Sequence, residues 1–306
     1  MTVHFVYPYD PEKIAAPWTI GNNLTWKMQK AGLEVKNYNW DSFDDITPLP
    51  GDILLGHPHP EMNRVFNRNF HKNFKKVISL CPWNGLPEWE AQLAPIVPEC
   101  DAAFFICADY WQQRTPSWFS GKCLDMAISQ KIFKQKKFKF NAPGRRQFLF
   151  LSCTVENKNP GMLTEIKKRF PAFACAHFGF GHVEGIENFG HFDPVIGLPS
   201  FEAFQAHLPY YDFVVMTSKN DANPTVILEA MAYGLIPICT PQCGWGEEDA
   251  LHIPLDDIDE ATSIIYDLSL RTKDHELNYR QNHYLQRKKL YTWDRFCTPI
   301  IEEILK

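Results

Sequence analysis

Residues 211–240, YDFVVMTSKNDANPTVILEAMAYGLIPICT, concentrate the side chains best placed to do chemistry. An apolar run ends at Thr217 and Ser218 and a polar loop follows. Asn223 and Pro224 then supply a cap and a first-turn proline for a helix that stops at Gly234. The free backbone N–H groups and the dipole of such a helix start favour an anion such as phosphate. Glu229 interrupts the apolar stretch 226–232, where a carboxylate is costly unless it is exposed or hydrogen-bonded. Two readings stay open for it: one exposed helix position, or a ligand-binding acid. Asp221 precedes it by eight residues in the loop, so the two acids could frame one ligand lying on the helix start.

Metal and dinucleotide chemistry find less support. No CxxC pair occurs, and Cys239 with Cys243 lacks a second ligand pair at zinc spacing. Gly56-His57-Pro58-His59 would make a metal half-site, but no carboxylate or cysteine cluster accompanies it. A cleft lining and a plain surface loop are its other readings. The glycines at 179, 181 and 185 miss the dinucleotide spacing and precede ENFGHFD, which is no apolar helix. That segment reads as a loop, at most one that faces a nucleotide. Trp83, Trp89, Trp111 and Trp118 offer stacking surfaces for sugar rings, although aromatic core or domain-interface packing is the commoner role.

The elements that must position these residues follow from hydrophobic patterning. Short apolar runs at 3–7, 35–40, 52–56, 76–80 and 102–108 alternate with helix-like segments at 20–31, 61–74 and 88–97, which predicts βα units and a parallel sheet. A basic run with an Asn-Ala-Pro-Gly turn, KIFKQKKFKFNAPGRR at 131–146, breaks the rhythm and reads as a solvated linker. A second series follows, with strands at 147–151, 173–178, 194–197, 212–217 and 236–240. Its helices are at 161–169, 201–207, 224–233 and 260–270. The expectation is two Rossmann-like domains in tandem, 1–142 and 143–290, and a terminal helix at 291–306. In that helix Phe296, Ile300, Ile301 and Ile304 form an apolar face, which predicts packing on the first domain.

A length of 306 residues suits two domains with separate cores. The net charge is -5, from 31 Lys and Arg against 36 Asp and Glu, so nothing draws the chain generally to nucleic acid or an anionic membrane. Phosphate must be met locally. The start MTVHFVYPYD shows no signal peptide, and no run reaches the ~18 uncharged apolar residues of a spanning helix, although peripheral membrane contact stays open. Nine scattered cysteines, mostly within apolar runs, read as buried reduced thiols and favour a cytoplasmic location.

The segment TSKNDANPTVILEAMAYGLIPICT resembles the donor-sugar motif of retaining GT-B glycosyltransferases, specifically their family 4. That motif has two acids spaced E-x7-E, followed by A-M-A-x-G-x-P and a hydrophobic residue. Asp221 stands where the motif has its first Glu, Glu229 matches the second, and Gly234 and Pro237 match the rest. The resemblance implies an α/β GT-B architecture, with a cleft between the domains and a terminal helix crossing back to the first. It implies that Glu229 binds the nucleotide ribose and that Asp221 contacts the donor sugar. Ala222, Asn223, Pro224 and Thr225 would then lie near the sugar and diphosphate.

Further segments resemble the family in order. GNNLTWKMQKAGL at 21–33 is similar to its first glycine loop and helix, giving Gly21 a donor-binding part, although the family pairs two glycines there. In FLFLSCTVENKNPG, Cys153 and Thr154 stand near the family's arginine and Lys158 near its lysine. Lys158 is therefore the candidate diphosphate cation, with a solvated loop lysine as the alternative. Cys81-Pro82 replaces the family's histidine after VISL, and His57 with His59 are candidates for the acceptor site.

The implied activity is metal-independent, retaining transfer of a sugar from a nucleotide-diphosphate sugar to a glycan or other hydroxyl acceptor, without cofactor or nucleic-acid partner. The alternative is a non-catalytic relative that binds nucleotide sugar or carbohydrate. An oxidoreductase is disfavoured because GxGxxG is missing after the first strand.

Overall fold

The computed structural model describes residues 1–13, 16–39, 46–59, 66, 68–190 and 204–306. The predicted strand at 194–197 lies outside them, as do parts of the strand at 35–40 and of the helices at 61–74 and 201–207. The chain divides into two compact units. One comprises 1–107, 111–126 and 293–306, the other 108–110 and 127–292.

In the first unit, six parallel strands are ordered β2-β1-β3-β4-β5-β6: β1 (Thr2–Val6), β2 (Glu34–Tyr38), β3 (Ile53–Gly56), β4 (Lys76–Pro82), β5 (Ala102–Ile106) and β6 (Lys122–Leu124). The interiors of β1, β3 and β4 are buried, as central strands of a parallel sheet must be when helices cover both faces. Helix α1 (Trp18–Lys30) leads from β1 to β2 and buries Ile20, Leu24 and Met28 at helical spacing. Helix α2 (Pro87–Leu93) follows β4.

The terminal helix, Trp293–Leu305, groups with this unit and buries Trp293, Phe296, Cys297, Ile300 and Ile304. Ile301 is only half-buried, unlike its predicted place on the apolar face, because it sits about 100° around the helix from Ile300. Polar contacts tie the same helix down: Lys27 pairs with Asp294, Arg295 with Asp125 at 3.1 Å, and Lys76 donates to the Glu303 carbonyl at 2.7 Å.

The second unit holds β7 (Phe148–Leu151), β8 (Cys175–Phe178), β9 (Glu187–Asn188), β10 (Phe213–Met216), β11 (Ile236–Cys239) and β12 (Leu251–His252). They are all parallel, in the order β12-β11-β10-β7-β8-β9. Helix α3 (Gly161–Arg169) joins β7 to β8, and α4 (Thr225–Tyr233) joins β10 to β11. Helix α4 stops because Gly234 takes a left-handed conformation, φ 82°, that side-chain-bearing residues resist. Helices α5 (Ile258–Leu270) and α6 (Asp274–Arg287) follow, with Asp257 capping α5 through the amides of Asp259 and Glu260 at 3.1 and 2.9 Å. Leu149, Leu151, Phe178, Val214, Ala230, Tyr233 and Leu235 form one core cluster between sheet and helices.

Two further features depart from the sequence reading. Strands β6, β9 and β12 were not predicted; each is two or three residues long and has no apolar run. The change of unit falls at 126/127 instead of 142/143, because 127–142 is built into the second unit. There the Lys137 ammonium meets the Asp212 carboxylate at 3.0 Å, both side chains being buried, and the Asn141 amide donates to Asp212 at 2.8 Å. The amides of Lys136 and Lys137 donate to the Tyr233 carbonyl at 2.8 and 2.9 Å. All nine cysteines are free thiols, and no described helix is long and apolar enough to cross a membrane.

Candidate functional site

In the second sheet β7 and β10 are neighbours, but β7 continues towards β8 and β10 towards β11. Their connections therefore diverge, and the crevice outside the carboxyl ends of two such strands is where open parallel sheets take ligands. The loop after β7 contains a single 3-10 turn, Glu156–Lys158, and then Asn159 at φ 51°, a left-handed conformation that asparagine tolerates better than most residues. The loop after β10 is 217–224.

Buried hydroxyls and amides stitch the two loops together. The Thr217 hydroxyl donates to the carbonyls of Lys158 and Asn159 at 3.0 and 2.9 Å, and the Lys219 amide donates to the Asn157 carbonyl at 2.8 Å. From the β11 side, the Thr240 hydroxyl donates to the Ser218 carbonyl at 2.6 Å, and the Asp221 amide to the Gln242 carbonyl at 2.9 Å.

This framework brings Lys158 and Asp221 into a direct, charge-assisted hydrogen bond across the strand divergence. Both side chains are largely buried, 19% and 15% exposed. Burial works against the charged form of Lys158, but the Asp221 carboxylate, by its charge and by accepting the hydrogen bond, keeps the ammonium above its ordinary range.

Pro224 occupies the cap position of α4 in an extended conformation, its carbonyl accepting from the Trp245 indole at 3.0 Å, and no side chain caps the helix. Glu229 lies one turn into α4 and is half-buried. Burial pushes its carboxyl up to about 7, opposed by a hydrogen bond to the Thr225 hydroxyl one turn back. The two acids thus have different partners, Asp221 the lysine and Glu229 the threonine. Ala222, Asn223, Pro224 and Thr225 run between them, and Ala108 reaches in from the short stretch 108–110 of the same unit, its amide donating to the Ala222 carbonyl at 3.2 Å.

The loop beyond β8 borders the same edge. A methyl group on Gly181, φ 94°, would lie 1.8 Å from the Thr154 hydroxyl oxygen, so only glycine allows this approach. Asn188 donates to the carbonyls of Gly179 and Gly181 at 2.9 and 2.8 Å. Thr217, Thr240, Asn159 and Asn188 were not singled out from the sequence. For the threonines a signal existed, since each directly follows the apolar run of a parallel strand, at the end where such sheets take ligands.

The first sheet has its own divergence, between β1 and β3. Gly21 lies in the first turns of α1, where a Cβ would come 2.0 Å from the Pro8 carbonyl oxygen, so its glycine is required by close packing of helix and loop. His57 and His59 follow β3. His57 is buried, packed edge-on against Trp89 with ring centroids 5.2 Å apart, and burial together with neighbouring His59 lowers its pKa to about 3, leaving a neutral imidazole. His59 packs against both rings, 5.7 Å from His57 and 6.0 Å from Trp89. Trp89 is oriented by its indole N–H donating to the Pro82 carbonyl at 2.8 Å. Trp83 stacks on Phe105 at 5.0 Å with 1% exposure and Trp111 is 8% exposed, which makes both core residues and removes them as stacking surfaces. Cys81, at the family's histidine position, is fully buried.

No protein-family model matches this sequence, and no curated protein matches it. Solved structures do. The lipopolysaccharide outer core galactosyltransferase WaaB is similar over 99% of this chain and 100% of its own, with TM-score 0.69 and 11% identity. Sucrose-phosphate synthase from Thermosynechococcus elongatus is similar over 99% and 98%, with TM-score 0.63 and 11% identity. The pneumococcal O-GlcNAc transferase GtfA, solved with UDP and GlcNAc, is similar over 83% of this chain at TM-score 0.57 and 13% identity; the chain spans 57% of its length. The chain has the GT-B fold of these transferases.

Proposed function

We propose that this chain is a glycosyltransferase that takes a nucleotide-diphosphate sugar in its second unit and transfers the sugar, with retention of configuration and without a metal ion, to a glycan or other hydroxyl acceptor. The observation that carries this reading is the meeting of Lys158 and Asp221 at the divergence of β7 and β10, beside the uncapped start of α4. The α4 amides and the Lys158 ammonium supply the positive field that a departing diphosphate needs, so the protein's work is positioning and electrostatic stabilisation. Asp221 accepts a hydroxyl of the donor sugar, and Glu229 accepts the ribose hydroxyls. Ala222, Asn223 and Thr225 line the diphosphate, and Pro224 fixes the turn. Lys158 exchanges Asp221 for phosphate oxygens as the donor enters. In the first unit Gly21 is the donor-binding candidate, while His57 and His59, held by Trp89, serve the acceptor.

The test is a panel of UDP, GDP and ADP sugars read by thermal shift and by release of nucleoside diphosphate, with and without EDTA. UDP sugars come first, given the UDP bound to the pneumococcal transferase. At ligand about 100 times its dissociation constant the shift corresponds to about 2.7 kcal/mol. Stabilisation together with EDTA-resistant release supports the reading. Absence of any shift, or activity lost to EDTA and restored by manganese, contradicts it. A second reading, a non-catalytic nucleotide-sugar binder, is favoured by one observation: the position at which the family has a histidine is here the buried Cys81. Stabilisation without release over hours would select it.

A further inference from the structure

The basic run at 131–139 takes no part in the site described above. It turns at 131–132 and runs on without helix or strand, anchored to the second unit by several of its side chains. Phe133 packs on Tyr233 with centroids 5.6 Å apart, Lys137 is buried on Asp212, and Phe140 is 4% exposed. These residues anchor the segment, and most of those between them are exposed. Lys131, Lys134 and Lys139 are exposed and Lys136 is half-exposed.

Between them stand Phe138 at 73% exposure and Ile132 at 53%. Tyr210, 67% exposed, lies alongside, its carbonyl accepting from Asn141 at 2.9 Å. Among the described residues none of Lys131, Lys134, Lys136 and Lys139 forms an ion pair, whereas the inward Lys137 does.

A single exposed apolar residue is ordinary, but Ile132, Phe138 and Tyr210 stand together around one lysine-rich segment, in a chain whose net charge of -5 gives no general reason to gather unpaired cations. Cations meeting lipid phosphates while apolar side chains enter the headgroup and acyl boundary account for both. Single-stranded nucleic acid would also attract lysines, but it stacks on aromatic faces and gains nothing from Ile132. We propose that the edge formed by 131–139 and Tyr210 docks the protein peripherally on an anionic lipid surface. The proposal does not depend on transferase activity.

The test is flotation of the full chain with vesicles of phosphatidylcholine alone or with phosphatidylglycerol added, at low and high salt. Binding is expected to the anionic vesicles only and to weaken as salt screens it. Each lysine near such a surface is worth about fivefold in partitioning. Lys131→Gln, Lys134→Gln, Lys136→Gln and Lys139→Gln combined should therefore lower it several-hundredfold, and Lys134→Gln alone about fivefold. Phe138→Ser should weaken it about tenfold at constant charge. These side chains face solvent, so melting temperatures should not move; should the combined variant misfold, the single variants still decide. Failure to float with anionic vesicles overturns the proposal, as does parent-like binding of the combined and Phe138→Ser variants. Displacement by single-stranded RNA together with indifference to Phe138→Ser would mark a polyanion site and overturn it equally.

Discussion

Glu229→Gln removes a carboxyl that burial has raised from its ordinary 4.5 to about 7. The folded chain holds this proton more tightly than the unfolded chain. The stability so gained is present below pH about 4.5 and is lost as the pH rises through about 7. By pH 8 the ionised group costs about 3 kcal/mol relative to one that does not titrate, an upper figure because the exposed part of the carboxylate is screened. Glutamine keeps the size and can still face Thr225, so the stability difference should open from near zero at pH ~4 towards that value at pH 8. Over a unit of this size the gain corresponds to a rise of about 5–10 °C in melting temperature at pH 8.

Nucleotide affinity should move the other way. The ionised acid is the better ribose acceptor, so affinity of the parent should fall about tenfold for each pH unit below 7. The variant should be flat and at pH 8 about ten- to a hundredfold weaker. Melts and calorimetric titration with nucleoside diphosphate between pH 5 and 8 measure both. A variant that is no more stable at pH 8, or that binds like the parent there, would refute the assignment of Glu229 as a carboxylate kept at a cost for the ligand.

Lys158→Ala leaves Asp221 largely buried without its cation; it should cost about 1–3 kcal/mol of stability and at least about tenfold in diphosphate affinity, and unaltered affinity would exclude Lys158 from the clamp. Asp221→Asn should depress turnover more than nucleoside diphosphate binding, because the proposed contact is to the sugar; equal losses in both would move Asp221 to the phosphates. Ile300→Ala, at a fully buried position of the terminal helix, should cost about 2–5 kcal/mol in the unit that contains β1–β6. Denaturation monitored with and without nucleotide reads it, and loss confined to the nucleotide-stabilised transition would place that helix elsewhere.

The central strands were legible because each is a run of apolar residues in a sheet buried on both faces, and α4 because Pro224 and Gly234 bound it, although the cap position falls on Pro224 and Asn223 does not cap the helix. What escaped were elements whose reason lies outside their own composition. KCL, EN and LH become strands β6, β9 and β12 by pairing at sheet edges, which no periodicity announces. The 131–146 run reads as a linker because lysines are normally solvated. Only the buried Asp212 carboxylate, also bonded by the Gln147 amide at 2.9 Å, makes Lys137 an anchor and moves the unit boundary upstream.

The site shows the same division in sharper form. Asp221 and Glu229 could be found from their eight-residue spacing around a helix start, but nothing local pairs Asp221 with a lysine 63 residues away. That pairing follows from topology, since β7 and β10 are neighbours and both loops end at one edge. It has an electrostatic consequence that the separate residues do not have. An unpaired lysine beside free helix amides would hold any phosphate, whereas the charge of Lys158 is already offset by Asp221. A diphosphate alone must then compete with Asp221 for the ammonium. On the proposed reading, a ligand that also offers hydroxyls would give the displaced carboxylate a new partner, and the arrangement would discriminate for a phosphate ester that carries a sugar over bare phosphate.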